Sequence, residues 1–272
     1  MTAPIHWNAE ALWEAVAPRL PGFTIDILPS VDSSNTELMR RARAGDTAPT
    51  LVVAEQQTAG RGRMGKPWAS SLGDSLMFSL ALPLAPQDWS GLSLAVGQVL
   101  AEALQPGGAT ATHQPRIGIK WPNDLWLEGD RKLAGILIET AHFGHGPRQV
   151  IVGVGINVRP RHEQNLSTPP ACLQDLDPRW DAPAALAAVI PPLVDCLQRF
   201  EADGFAPFRT AFSARDLLRG RPVRLSDGTE GMAEGVGTDG ALLVRTARGL
   251  EQITSSEVSV RPAPGTPPAP AR

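Results

Sequence analysis

Residues 52–68 read VVAEQQTAGRGRMGKPW, an apolar run that passes into a glycine-rich loop with two arginines and a lysine. The apolar run is typical of a β-strand. Gly60, Gly62 and Gly65 allow backbone angles that are closed to other residues and let N–H groups point at a ligand. The stretch therefore predicts a strand followed by a loop that cradles a phosphate or an acyl phosphate. The alternative is an arginine-bearing hairpin turn without a ligand.

Two nucleotide-binding patterns also fit this loop, but its flanking residues exclude both. The glycines satisfy G-x-G-x-x-G, a fingerprint that needs a helix at the third glycine and an acidic residue about 20 positions further on. Lys66-Pro67-Trp68 supplies no helix. The loop also spells G-x-x-x-x-G-K, yet Pro67 stands where a triphosphatase loop needs serine or threonine.

Composition bounds the class of protein. The 272 residues suit one large domain and a small one, and a hydrophobic fraction of 42% can build a core. The net charge of −3 and a pI near 6.0 give no general attraction to nucleic acid, so we expect no nucleic-acid partner. Cys172 and Cys196 predict reduced thiols that pack in the core. Without a signal-peptide pattern or a run of about 20 apolar residues, we expect a cytoplasmic protein with no membrane contact.

Hydrophobic periodicity predicts an α+β fold, a mixed β-sheet packed with helices and followed by a small all-β, barrel-like domain. Strands are predicted at 51–54, 75–82, 117–120, 124–127, 133–140 and 150–158. Helices are predicted at 8–20, 36–44, 89–104 and 182–204, the last irregular at Pro191-Pro192. Short β runs with Asp227-Gly228 and Asp239-Gly240 turns follow. The predicted domains are 1–218 and 219–261, with a disordered tail at 262–272.

Two motifs place polar and charged side chains between predicted elements. Asp32-Ser33-Ser34-Asn35 precedes a helix whose first N–H groups can receive a ligand. Lys120-Trp121-Pro122-Asn123-Asp124 joins two strands. Its lysine can meet a phosphate as a point charge, and its aspartate can hold a metal or balance the cation. The alternative for the second motif is a plain tight turn.

Two further motifs combine polar residues with glycine. Lys132 lies at the start of a strand, where the following Ala134-Gly135 leaves room for a bound molecule, whereas we expect Arg131 on a solvated face. Gly153 stands in the run Gly153-Val154-Gly155-Ile156-Asn157. Glycine inside a strand indicates a bulge or a close approach by a ligand, and an ordinary bulged strand is the alternative.

Taken in this order, the motifs closely resemble the biotin–protein ligase family. The match runs from Asp32 to Val158, and the β module from Gly220 resembles that family's C-terminal barrel. The resemblance implies an enzyme that makes biotinyl-5′-adenylate and pyrophosphate from biotin and ATP, with Mg²⁺, and passes biotin to one lysine of a carrier domain. The implied acceptor is the biotin carboxyl carrier domain of acetyl-CoA carboxylase or pyruvate carboxylase. A monomer or a homodimer is expected.

The resemblance also implies residue roles. The biotin-binding set is Ser33, Ser34, Asn35, Gln57, Gly60, Arg61, Gly62, Arg63, Trp68, Lys132, Gly135 and Gly153. The ATP- and adenylate-binding set is Arg61, Arg63, Lys120, Asn123, Lys132 and Asn157. Arg63, Lys120 and Lys132 would be catalytic, and Asp124 would bind the metal. Two departures are Ser34, where the family often has threonine, and Met64, where it sometimes has arginine.

Two alternatives remain open at this point. A lipoate–protein ligase or octanoyltransferase would share the fold and the carrier-lysine acceptor, although the paired Gly-Arg motif and Lys-Trp-Pro-Asn-Asp suit the biotin branch better. A non-catalytic binding module, with the C-terminal barrel as its working part, belongs to a different class. The short stretch before Asp32 predicts a ligase without a DNA-binding domain.

Overall fold

The computed structural model describes residues 4–68, 72–106, 115–142, 147–160, 168–254 and 260–262. The helices are α1 (Ala9–Val16), α2 (Ser34–Arg43), α3 (Leu92–Leu104), α4 (Ala182–Asp203) and α5 (Arg209–Arg215). The large sheet contains β1 (Thr24–Leu28), β2 (Thr50–Ala54), β3 (Ser75–Leu84), β4 (Gly118–Lys120), β5 (Asp124–Leu127), β6 (Arg131–Ala141) and β7 (Arg148–Asn157). The small sheet contains β8 (Pro222–Leu225), β9 (Glu230–Val236), β10 (Leu242–Thr246), β11 (Gly249–Ile253) and β12 (Val260–Pro262).

The large sheet is mixed, which confirms the predicted α+β fold. Its order is β1-β2-β3-β7-β6-β5-β4. The pair β1–β2 is parallel, and the other neighbours are antiparallel. Because successive residues of a strand point to opposite faces, each strand divides its side chains between the two sides of the sheet.

One face of the large sheet carries the main core. Leu76, Phe78 and Leu80 of β3 lie on this face with Val152 and Val154 of β7, and all are buried. Helices α1, α3, α4 and α5 cover it, with α3 lying against β4, β5 and β6 and α4 against β3. The period-two alternation of large apolar residues therefore fixes which face is closed to ligands.

The opposite face is only partly covered. Helix α2 packs there through Leu38 onto Val52, Ala81 and Ile151, a small second cluster. Further along the same face, β6 and β7 present Gly135, Gly153 and Gly155 in place of apolar side chains. The glycines let the side chains of Trp68 and Asn35 lie directly on the sheet beside α2, and the candidate site is built around these side chains.

Most predicted elements are confirmed, and three differ. The helix predicted at 8–20 ends at Val16, because Pro18 has no N–H to continue the hydrogen-bond ladder. Asn8 stands at the N-cap position as predicted, but its side chain makes no hydrogen bond to the first turn of the helix. Helix α4 runs through Pro191 and Pro192 without a break, contrary to the predicted irregularity. Strand β1 was missed, although Ile25 and Ile27 alternate with polar residues in it; it is only five residues long and no residue of it is fully buried.

The small sheet has the order β11-β10-β9-β8-β12 and is antiparallel throughout. The predicted turn glycines Gly228 and Gly240 have positive φ of 90° and 80°. Arg221 joins this sheet to the larger one through two hydrogen bonds to Asp130, at 2.8 and 2.7 Å. The domain limits 218/219 and 261 stay predictions. The predicted tail at 262–272 lies outside the described residues, apart from Pro262 in β12.

Candidate active site

The floor of the site is a pair of glycines. Gly135 and Gly155 are partners across β6 and β7, and the indole of Trp68 lies on them. A Cβ at Gly155 would stand 2.5 Å from Trp68 Cε2, which is closer than real Cβ contacts come. The ring thus needs Gly155 and packs tightly on Gly135, while the expectation that Trp68 walls a ligand pocket stays a prediction.

One end of the site is a buried hydrogen-bonded cluster at the start of α2. Ser34, Asn35 and Ser79 are each at most 4% exposed. Ser34 N–H donates to Gln57 Oε1 at 2.8 Å, and Ser79 Oγ lies 2.7 Å from Ser34 Oγ. Asn35 packs against Gly153, where a Cβ would stand 2.7 Å from Asn35 Cγ and closer still to its Oδ1. This polar end is therefore closely packed.

The other end of the site is cationic. Lys132 Nζ lies 2.8 Å from Asp124 Oδ1 and 5.6 Å from the centre of a Trp68 ring. Arg63 Nη1 donates to Asn123 Oδ1 at 3.4 Å, and burial lowers the pKa of the arginine. Because β5 pairs with β6, Asp124 and Lys132 meet here although they are eight positions apart in the chain.

Lys120 is the most buried cation of this end. It is 7% exposed, and its ammonium lies 5.3 Å from the centre of a Trp126 ring. Burial lowers the pKa of Lys120 to about 8, although the nearby Asp124 carboxylate acts in the opposite direction. The charges of Lys132, Arg261 and Lys66 lower the pKa of Lys120 further, so positive charge outnumbers negative charge around its ammonium. Such a cluster is suited to an anionic ligand that neutralises it.

The glycine-rich loop is a compact turn. Gly62 N–H donates to Lys66 O at 2.7 Å, and Trp68 N–H donates to Gly60 O at 2.8 Å. Both N–H groups form hydrogen bonds within the loop. The prediction that loop amides point at an anion is therefore wrong for these two. Gly60 is required sterically, because a Cβ there would stand 2.6 Å from Trp68 O. Of the three glycines only Gly65 has a positive φ, 70°.

Several other predicted residues have partners within the protein. Arg61 lies 3.4 Å from Glu139 at the polar end, away from the lysines, and Ser33 Oγ accepts from Thr36 N–H as a helix cap. Asn123 Nδ2 donates to Ile136 O at 2.8 Å. Asn157 Nδ2 donates to Lys132 O and Ala171 O, at 3.1 and 3.0 Å. Their expected ligand contacts stay predictions.

Sequence reasoning did not single out Ser79 or Glu139. Ser79 is one of two serines in the largely apolar strand β3, and its alternation with Phe78 and Leu80 places it on the open face. Glu139 ends the Lys132 motif and accepts from Asn35 Nδ2 at 2.9 Å. A serine in the middle of a buried strand was the available signal for the first residue.

No group of three or more metal-ligating residues occurs among the described residues. The candidate metal ligand Asp124 is a single carboxylate that already pairs with Lys132. The pairing favours the charge-balancing role that the sequence left open for Asp124.

Comparison with known families agrees with this geometry. Residues 28–157 match the biotin/lipoate A/B protein ligase family, and residues 219–261 match the biotin protein ligase C-terminal domain. The bifunctional ligase/repressor BirA of Escherichia coli K12 is 35% identical over 255 residues, which cover 90% of this chain and 76% of that protein. The chain belongs to the biotin protein ligase family.

Two further relatives support membership of the biotin protein ligase family. The biotin–[acetyl-CoA-carboxylase] ligase of Paracoccus denitrificans is 33% identical, over 85% of this chain and 98% of that protein. The biotin protein ligase of Aquifex aeolicus in complex with biotin and ATP aligns with a TM-score of 0.73 and 28% identity, covering 88% of this chain and 99% of that one. The predicted biotin–protein ligase is confirmed over the lipoate and non-catalytic alternatives, because the C-terminal match and these relatives are specific to biotin.

Across the described part of the chain, no helix is both long and apolar enough to cross a membrane.

Proposed function

We propose that the protein is an ATP-dependent biotin–protein ligase, which makes biotinyl-5′-adenylate and then transfers biotin to one lysine of a carrier protein. The observation that carries this proposal is a polar end and a cationic end on one glycine-lined sheet face. Ser34 and Gln57 belong to the first end, and Lys120 and Lys132 belong to the second. The biotin and ATP bound to the Aquifex aeolicus ligase support the assignment.

The first step brings two anions together. A carboxylate oxygen of biotin attacks the α-phosphorus of ATP, and the bond to the pyrophosphate leaving group breaks. Fixed cations lower this barrier because they stabilise the charge that develops on the phosphate. We assign the biotin carboxylate, and then the adenylate, to Lys132, since its ammonium lies over Trp68 beside the glycine floor. Lys120 and Arg63 would contact the phosphates.

In the second step the amine of the carrier lysine attacks the acyl carbon of the mixed anhydride, loses a proton, and AMP leaves. A mixed anhydride is hydrolysed by water, so the site must exclude solvent between the two steps. The compact loop at 60–66 and Trp68 lie where they could cover the adenylate. We assign retention of the intermediate to this loop.

Magnesium enters this proposal as part of the substrate, in the complex MgATP. The described residues form no site for a resident ion, because they contain no group of three or more possible ligands and Asp124 Oδ1 is held by Lys132 Nζ at 2.8 Å. Magnesium usually binds through one or two carboxylates together with substrate phosphates and water. Asp124 is accordingly assigned to balancing the charge of the lysines.

The acceptor in this proposal is the biotin carboxyl carrier domain of acetyl-CoA carboxylase or pyruvate carboxylase, and the enzyme acts in the cytoplasm as a monomer or homodimer. The name of the Paracoccus denitrificans relative supports the first carrier. Labelling of each carrier domain by the purified protein would distinguish the two.

The test of the proposed function is pyrophosphate release by the purified protein with ATP, magnesium and either biotin or lipoate, followed by addition of a carrier domain. We expect release that depends on biotin and label transfer to one carrier lysine. Release with lipoate alone, or none with either acid, would contradict the proposal.

A matched pair of variants tests the cationic end. Lys132→Gln removes the ammonium beside Asp124, and we expect it to lower kcat/KM for biotin at least about 100-fold. Arg131→Gln removes the neighbouring charge, which pairs with Asp175 at the other side of the strand, and should leave activity within about twofold. Equal losses in both variants would argue against a specific role for Lys132.

A further inference from the structure

Ser79 is a polar residue of β3 that the proposed chemistry does not use directly. Its side chain is fully buried, and its Oγ lies 2.7 Å from Ser34 Oγ and 2.5 Å from Asn35 Oδ1. A hydroxyl has one proton to donate, so Ser79 can donate in only one of these two contacts. The surrounding groups decide which one.

Asn35 fixes the direction of the Ser79 proton. Its Nδ2 donates to Leu137 O at 3.2 Å and to Glu139 Oε2 at 2.9 Å. A carbonyl and a carboxylate only accept, so the amide nitrogen faces them and the amide oxygen faces Ser79. An amide oxygen cannot donate. Ser79 therefore donates to Asn35 and can only accept from Ser34.

Ser34 consequently gives its single proton to Ser79. The other possible acceptor, Gln57 Oε1, is 3.2 Å away, and donation to it would leave two hydroxyl oxygens 2.7 Å apart without a proton between them. Gln57 Oε1 also accepts from Ser34 N–H at 2.8 Å, which turns its Nε2 away from Ser34. For a ligand, Ser34 therefore offers its oxygen as an acceptor, and Gln57 offers its side-chain nitrogen as a donor.

We propose that Ser79 is a positioning residue that makes Ser34 a hydrogen-bond acceptor and thereby selects ligands with an N–H group next to a carbonyl. The urea ring of biotin has this pair, and the dithiolane ring of lipoate has neither group. A site built to hydrogen-bond its ligand rejects an analogue that leaves its buried polar groups unpaired. The inference rests on the proposed ligase function and adds the residue that sets ligand choice.

The experiment measures kcat and KM for biotin by pyrophosphate release in six proteins. These are the wild type, Ser79→Ala, Ser79→Cys, Ser34→Ala, the double variant Ser34→Ala/Ser79→Ala and the control Ser93→Ala. Ser93 lies on α3, on the other side of the sheet, and its buried hydroxyl has no hydrogen-bond partner within the described residues. Thermal unfolding of each protein verifies folding. Ser79→Cys keeps a side chain of similar volume with a weak donor, so the test survives if Ser79→Ala does not fold.

We expect Ser79→Ala to raise KM for biotin about tenfold while kcat changes less than about threefold. The double variant should be no worse than Ser34→Ala, because Ser79 acts through Ser34. Ser79→Cys should lie between Ser79→Ala and the wild type, and Ser93→Ala should match the wild type. Two results would overturn the role of Ser79 but leave the proposed ligase function intact. One is a KM for Ser79→Ala equal to that of Ser93→Ala, and the other is a double variant whose increase in KM is the product of the two single increases. Wild-type release with lipoate and not biotin would overturn the proposed function as well.

Discussion

Replacing Gly153 by alanine is expected to disrupt the polar end of the site through Asn35. The new Cβ would stand 2.7 Å from Asn35 Cγ, whereas ordinary contacts begin at 3.4 Å. The strand backbone is held on both sides by β3 and β6, so Asn35 is the group that has to move. Its contacts with Leu137 O, Glu139 and Ser79 would then be weakened together.

The size of the effect follows from these three bonds. Each hydrogen bond contributes about 0.5–1.5 kcal/mol to stability, so losing all three costs about 1.5–4.5 kcal/mol. Alanine in a strand recovers about 0.5–1 kcal/mol relative to glycine. We therefore expect the free energy of unfolding to fall by about 0.5–4 kcal/mol and KM for biotin to rise at least about tenfold.

Urea unfolding and biotin-dependent pyrophosphate release measure the two effects. Gly97→Ala in α3 is the control, because its Cβ would have its nearest neighbours at 3.5 Å and no strain from φ. In a helix interior this change is expected to stabilise by about 0.5–1 kcal/mol and to leave KM unchanged. If Gly153→Ala unfolds like the wild type and binds biotin normally, the packing argument for Asn35 is wrong.

Three further predictions concern the cations. Burial lowers the pKa of Lys120 to about 8, so the fraction of Lys120 that is charged falls above that pH. KM for ATP should then rise by up to about tenfold per pH unit. The rise should end at the higher pKa that Lys120 has in the complex, where the negative charge of ATP keeps it protonated. Lys120→Arg, which stays charged, should flatten this rise, and a flat wild-type profile from pH 7 to 9.5 would count against phosphate binding by Lys120. Arg63→Gly should release biotinyl-5′-adenylate faster and so increase untargeted biotinylation of bystander proteins. A release assay measures this, and an unchanged rate of adenylate release would show that Arg63 does not retain the intermediate. Arg221→Ala breaks a pair between the buried guanidinium and the partly exposed Asp130 carboxylate, and it should lower the free energy of unfolding by about 1–3 kcal/mol. In the same urea titration Arg224→Ala, which breaks an exposed pair, should change that free energy by less than about 1 kcal/mol.

Much of the fold was predictable because it depends on local pattern. Apolar, β-rich runs at 75–82 and 150–158 identified β3 and β7, and the turn glycines identified the β module. Deviations arose where tertiary contacts outweighed local preference. Helix α4 continues through Pro191 and Pro192 while its apolar face is buried. Strand β1 is a short edge strand that pairs in parallel with β2, a partner that its own five residues do not reveal.

The order of the motifs determined the family, since each motif carries its own chemical requirement. Glycines beside arginines, a lysine before a turn, and a lysine at the start of a strand were all visible in the chain. The pairing of Lys132 with Asp124 was not, because the register of β5 against β6 sets which side chains meet.

Only the tertiary structure decided the hydrogen-bond directions at the polar end. Ser79 lies 44 positions from Asn35, and Glu139 lies 104 positions from it, yet all three belong to one network. The sheet order brings β3 and β6 to either side of β7, and Gly153 leaves the gap that Asn35 fills. Local sequence patterns determine which residues become strands and loops, whereas the proton of Ser34 is directed by groups that meet only when distant strands pair.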